Sequence, residues 1–169
     1  MTQIKTYNMP FRRRREERTN YKKRLALLKS GKLRLVVRRT NNNSIVQVVQ
    51  YDPKGDKCLV MAQSTELKKL GWAKHAGNLT AAYLTGYLCS KKAKKQNLAE
   101  AVLDIGLLTP VRGSGIFSAL KGAVDGGLNV ACNKEVFPSP DRTMGKHLGE
   151  GSVQLFEKVK KEIDTQYGG

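Results

Sequence analysis

The residues best placed to do chemistry in this 169-residue chain are arginines. Positions 12–24 read RRRREERTNYKKR, eight bases in thirteen residues. Guanidinium groups grip phosphate oxygens in paired hydrogen bonds and stack on flat bases, so Arg12, Arg13, Arg14 and Arg15 point to a polyanionic partner. The bland alternatives are a solvated charge run or an import signal. Arg18, Lys22, Lys23 and Arg24 extend the run, which favours a binding surface. Tyr7, Phe11 and Tyr21 interleave with the charge, and aromatic rings in such settings stack on exposed bases. Tyr21 also fits core packing, which is the better reading of that residue.

Other chemistry finds little support. A two-metal nuclease needs converging carboxylates, yet Leu33–Arg39 holds no acid and neither does 73–96. Asp104, at the end of a predicted strand, stands alone and reads as a turn or cap residue. Cys58, Cys89 and Cys132 are far apart, His75 and His147 equally so, and no zinc-type spacing occurs. The cysteines read as small buried fillers of an intracellular protein. Gly113-Ser114-Gly115 lacks the spacing of a phosphate-binding loop and reads as a tight turn into a helix. No metal site, cofactor or catalytic residue is therefore expected.

The charge is unevenly spread. The whole chain carries +17, of which residues 1–40 supply +12 and the other 129 only +5. Charge of this size opposes compaction until a polyanion neutralises it, so nucleic acid is the expected partner. No apolar run approaches the roughly 20 residues needed to cross a bilayer, and no secretion signal is expected.

The elements that must position these residues follow from periodicity. From about Glu16 a helix is expected, with Tyr21, Leu25 and Leu28 as its apolar stripe and Arg14, Arg18 and Lys22 as a basic one. Ser30-Gly31 ends it. Leu33–Arg39 alternates as a strand with Arg34 and Arg38 on one face, which would continue the basic surface. Asn41, Asn42 and Asn43 make a turn. Strands at 44–51 and 58–63 follow, joined by the Pro53-Lys54-Gly55-Asp56 turn. Ala76–Cys89 is a helix rich in small residues, anchored by Trp72, with Lys91, Lys92, Lys94 and Lys95 at its negative end. Ala101–Ile105 reads as a buried strand and 115–124 as a helix. Pro138 and Pro140 mark a loop. The last helix has Val153, Phe156, Val159, Ile163 and Tyr167 on one side.

The segments RRRREERTNYKKRLALLKSGKLRLVVRRTNNN, GWAKHAGNLTAAYLTGYL, AVLDIGL, GAVDGGL and RTMGKH together resemble the archaeal branch of large-subunit ribosomal protein eighteen, the universal 5S-rRNA-binding family related to eukaryotic large-subunit protein five. The resemblance runs from about Tyr7 to His147. It implies an α/β fold with the ribonuclease-H-like motif of translational machinery components. That is a mixed sheet flanked by helices, with basic N-terminal and helical C-terminal extensions. The expected division is a basic arm and helix at 1–31, a core at 32–132 and a C-terminal loop and helix at 133–169.

The resemblance also implies a non-catalytic role in the cytoplasm, within the large ribosomal subunit. There the protein would bind 5S rRNA and fasten it to 23S-type rRNA in the central protuberance, beside the other 5S-binding ribosomal protein and neighbouring large-subunit proteins. An RNA-processing nuclease on a related fold is the alternative. By matching blocks, the RNA-binding residues are Arg12–Arg15, Arg18, Thr19, Asn20, Tyr21 and Arg24, with Phe11, Lys22 and Lys23 in the same stretch. Arg34, Arg38, Arg39 and Asn41–Asn43 extend them, and Arg142, Lys146 and His147 form a second contact. The tail after His147 is short beside eukaryotic relatives, so the contacts such tails make are not expected here. Residues 1–15 are expected to order on RNA. Neutralising about eight phosphates would give a log–log salt slope of roughly −6 to −7.

Overall fold

The structure is a computed structural model that describes residues 8–167. Tyr7 lies outside the described residues.

The β-branched and alternating segments form the expected meander. β1 (Arg34–Arg39), β2 (Ser44–Gln50) and β3 (Lys57–Gln63) pair antiparallel in sequence order. The asparagine turn closes the first hairpin, with Thr40 N–H donating to the Asn43 carbonyl at 2.8 Å. β4 (Glu100–Asp104) then adds parallel to β1, and a two-residue β5 (Asn129–Val130) adds parallel to β4. The sheet order is β3-β2-β1-β4-β5. β5 is too short to show a period in the sequence.

One face of the sheet carries the core. Leu35, Val37, Val46, Val48 and Ala62 are fully buried beneath α3 (Leu79–Lys95) and α4 (Gly115–Asp125). These helices cross with their backbones in contact. A β-carbon at Gly86 would collide with the Ala119 carbonyl, and one at Gly122 with the Tyr83 carbonyl. The small residues read from the sequence serve this crossing. α3 starts at Leu79 rather than Ala76, because the Asn78 side chain accepts the Ala81 N–H at 2.6 Å and caps the helix there. Trp72 is buried as expected.

Two short segments follow, α5 (Pro140–Met144) and a 3-10 turn at Lys146–Leu148. Pro140 therefore opens a helix instead of marking a loop, as the fixed φ of proline suits a first helical turn. α6 (Ser152–Tyr167) buries Phe156, Val159 and Ile163. It docks on α3, where Asp164 accepts from the Tyr87 hydroxyl at 2.7 Å and pairs with Lys91 at 2.8 Å.

The opposite face of the sheet carries Arg34, Val36 and Arg38 of β1. The basic segment reaches over it, broken in two: α1 (Arg12–Arg15) and α2 (Tyr21–Leu28). The single helix expected from Glu16 does not form. Glu17 takes a left-handed φ of 51°, the Arg18 N–H closes back on the Arg13 carbonyl, and Asn20 caps a new helix by accepting the Lys23 N–H. Arg14, Arg18 and Lys22 thus share no helical stripe. The apolar stripe is only partly used: Tyr21 and Leu28 are half-buried, no residue of α2 is fully buried, and Leu25 is 57% exposed. Of the cysteines only Cys89 is a buried filler, while Cys58 and Cys132 are exposed.

Candidate nucleic-acid interface

A series of ion pairs ties the arm to the sheet. Arg24 of α2 donates to both oxygens of Asp56 at 2.9 Å. Asp56 also accepts from Arg34 of β1 at 2.6 Å, and Arg34 donates its other terminal nitrogen to Asp104 at 2.9 Å. Arg38 completes the series, 3.3 Å from Asp104 and bonded to the Asp104 backbone carbonyl at 2.8 Å. Three guanidiniums and two carboxylates therefore alternate from the arm across β1 to the end of β4. Gly106 turns the chain under Arg38 with φ +63°, where a β-carbon would press on the guanidinium. The Gly106 N–H donates to Asp104 at 2.8 Å.

Arg34 corrects the sequence reading. Its side chain is 4% exposed, so it braces the surface from below and does not extend it. Buried arginine persists only when paired, and both of its partners are distant in sequence. Burial by itself would raise the Asp56 carboxyl. The hydrogen bonds and charges of Arg34 and Arg24 outweigh that and hold it below the usual carboxylate range. Asp104, weighed above as a metal ligand, spends its oxygens on two arginines and a backbone N–H. Among the described residues, no three acidic, histidine or cysteine side chains gather as a metal cluster.

Beyond this anchor, Arg12, Arg13, Arg14, Arg15 and Arg18 are all exposed. Glu16 lies 3.5 Å from Arg12 and 3.3 Å from Arg18, and Arg13 Nε donates to the Thr19 hydroxyl at 2.9 Å. Phe11 is 73% exposed and packs on half-buried Tyr21 with ring centroids 5.3 Å apart. Lys22 and Lys23 are exposed on α2. Between α2 and the sheet runs a groove of about 640 Å³.

The other expected residues gather at a second place, the start of α3. Arg39 donates to the Gly77 carbonyl at 2.6 Å, and the Asn41 carbonyl sits against Gly77. On the other side, Gly145 packs against Thr80 and Lys74 reaches the Leu148 carbonyl at 3.5 Å. Arg142, Lys146 and His147 are exposed there, with Lys146 2.6 Å from Asp141. His75 accepts the Gly77 N–H in the loop before α3. Asn41 and Asn42 are exposed beside this cluster. Sequence reasoning missed Asp56 as the arm's anchor, and its place in an ordinary polar turn offered no signal.

A comparison with known families matches residues 5–101 and 90–133 to the family described as ribosomal large subunit proteins 60S L5 and 50S L18. The large ribosomal subunit protein uL18 of Methanothermobacter thermautotrophicus is 47% identical over 161 residues, 95% of this chain and 84% of that protein. The chain belongs to the uL18 family. It is of the archaeal type and a structural constituent of the large ribosomal subunit. The mixed sheet flanked by helices agrees with the fold expected of uL18 proteins. A structural, non-enzymatic role is what membership implies. No helix among the described residues is long and apolar enough to cross a membrane.

Proposed function

We propose that this uL18 protein binds 5S rRNA through the arm and the sheet face beneath it. It fastens that RNA to 23S-type rRNA in the central protuberance, beside the other 5S-binding ribosomal protein. The observation that carries this reading is the arm itself: five arginines of 12–18 exposed on a segment that Arg24 pairs to the body through Asp56. Structured RNA hides its deep groove and is recognised through phosphates, 2′-hydroxyls and unpaired bases. Exposed guanidiniums and the Phe11–Tyr21 pair suit those targets. The cluster around Arg142, Lys146 and His147 supports a second RNA contact, which a fastening role requires.

The test is a titration of 5S rRNA against a length-matched structured RNA at several salt concentrations. The expected result is a preference for 5S rRNA that survives added salt, while overall affinity falls steeply as counterions are released. Equal binding to both RNAs at every salt concentration overturns the reading.

A further inference from the structure

We infer that the groove between α2 and the sheet receives one unpaired nucleotide of the bound RNA, its base against the floor and its phosphate at the rim. This rests on the RNA-binding reading above and specifies a subsite within it. The groove's volume of about 640 Å³ lies within the roughly 300–1,000 Å³ typical of small-ligand clefts. Its floor carries Val36 and Val49 on the sheet, with Arg34, Arg38 and Gln47 among them, and apolar walls are added by Leu27 of α2 and Leu107 beyond β4. Its rim is cationic, with Arg13, Arg18 and Lys23 on the arm side. The two carboxylates lining it are already matched by three guanidiniums, so the rim charge stands in excess, and only Glu16 near Arg18 offsets it.

A partly apolar floor beneath a cationic rim fits a nucleotide on both counts. A flat base covers carbon surface that water solvates poorly, and its phosphate meets the arginines. Duplex RNA presents a convex backbone that reaches the rim and leaves the floor wet. An acidic peptide side chain answers the charge and not the floor. Gln47 also lines the groove and spends its amide N–H on the weak thioether acceptor of Met61 at 3.2 Å. It can exchange that contact for the edge of a base.

The experiment is a double-perturbation cycle on intact 5S rRNA. Each unpaired position of the RNA is made abasic in turn, and the groove is filled by Ala26→Trp, at an exposed α2 position that lines it. A second filling needs no refolding: Cys58, exposed and lining the groove, is alkylated after folding in a Cys132→Ser background. The inference expects one abasic position to weaken binding at least tenfold. Both filled proteins should weaken intact RNA by a similar factor and weaken that abasic RNA no further.

If the filled proteins bind intact 5S rRNA as the natural protein does, and 5S rRNA is still preferred over the control RNA, the inference falls. The functional reading then stands, and the groove is left to a peptide segment. Filled proteins that lose equally on intact RNA and on every abasic RNA also overturn it. Loss of the preference for 5S rRNA in the natural protein overturns both.

Discussion

Asp104→Ala should destabilise the fold by about 3 kcal/mol. The carboxylate is nearly buried and accepts from Arg34 at 2.9 Å, from Gly106 N–H at 2.8 Å and from Arg38 at 3.3 Å. Truncating one partner of a buried ion pair costs about 3–5 kcal/mol, because the other charge stays buried without its counterpart. The lower end applies here. Arg34 keeps Asp56 at 2.6 Å, and Arg38, with its side chain 43% exposed, can turn to water. Replacing both members, Arg34→Met with Asp104→Leu, removes the desolvation penalty with the attraction and should come within about 1 kcal/mol of the natural protein. Urea unfolding followed through Trp72, the single tryptophan, reads both as midpoint shifts at constant slope. The double variant should also keep the salt dependence of RNA binding, since Arg34 lies beneath the surface. Arg13→Gln should lower that slope by about 1, as for a lost phosphate contact. A loss below about 1 kcal/mol for Asp104→Ala, or a double variant as unstable as the single one, would refute the reasoning.

Other outcomes follow from the same contacts. Gly86→Ala forces α3 and α4 apart and should lower stability by about 2–3 kcal/mol, seen as a fall in Tm of roughly 5–10 °C. No change in Tm would mean the helices separate freely. The lowered Asp56 carboxyl favours the ionised form in the folded state, so its stabilisation is complete above the unfolded carboxylate value of about 3.9. It is lost as pH falls through the lower folded value. Unfolding midpoints measured from pH 6 to pH 2.5 should therefore drop more steeply at the acid end for the natural protein than for Asp56→Asn. Thiol titration of the native protein should show Cys58 and Cys132 reacting, with Cys132 slowed because burial raises its thiol. Cys89, pushed up to about 12 by burial, should react only after unfolding, and three equally fast thiols would contradict the packing of α3.

Much of the fold was legible because its signals are local. Strand alternation and the Asn41–Asn43 turn fix the meander, and the stripe from Phe156 to Ile163 fixes which side of α6 is buried. The exposed arginine arm was legible as composition, since such a run needs no tertiary information to be recognised. What escaped depends on distant partners. Arg34 alternates with apolar residues like any surface strand residue, and only the approach of Asp56 and Asp104 lets it be buried. The break in the arm is a local competition, in which Asn20 gains more by capping α2 than by continuing a helix from Arg15. α3 starts late for the same reason at Asn78. The grouping of Asn41 with Arg142 and His147 needs the start of α3 between them, which no spacing along the chain reveals.

The most direct test of the central claim is ultraviolet cross-linking of the full chain to 5S rRNA, with the linked peptides identified by mass spectrometry. Cross-links should concentrate in residues 11–24 and at Arg38, on the arm and the sheet face beneath it. Cross-links confined to α4 and α6, with none on the arm, would contradict it.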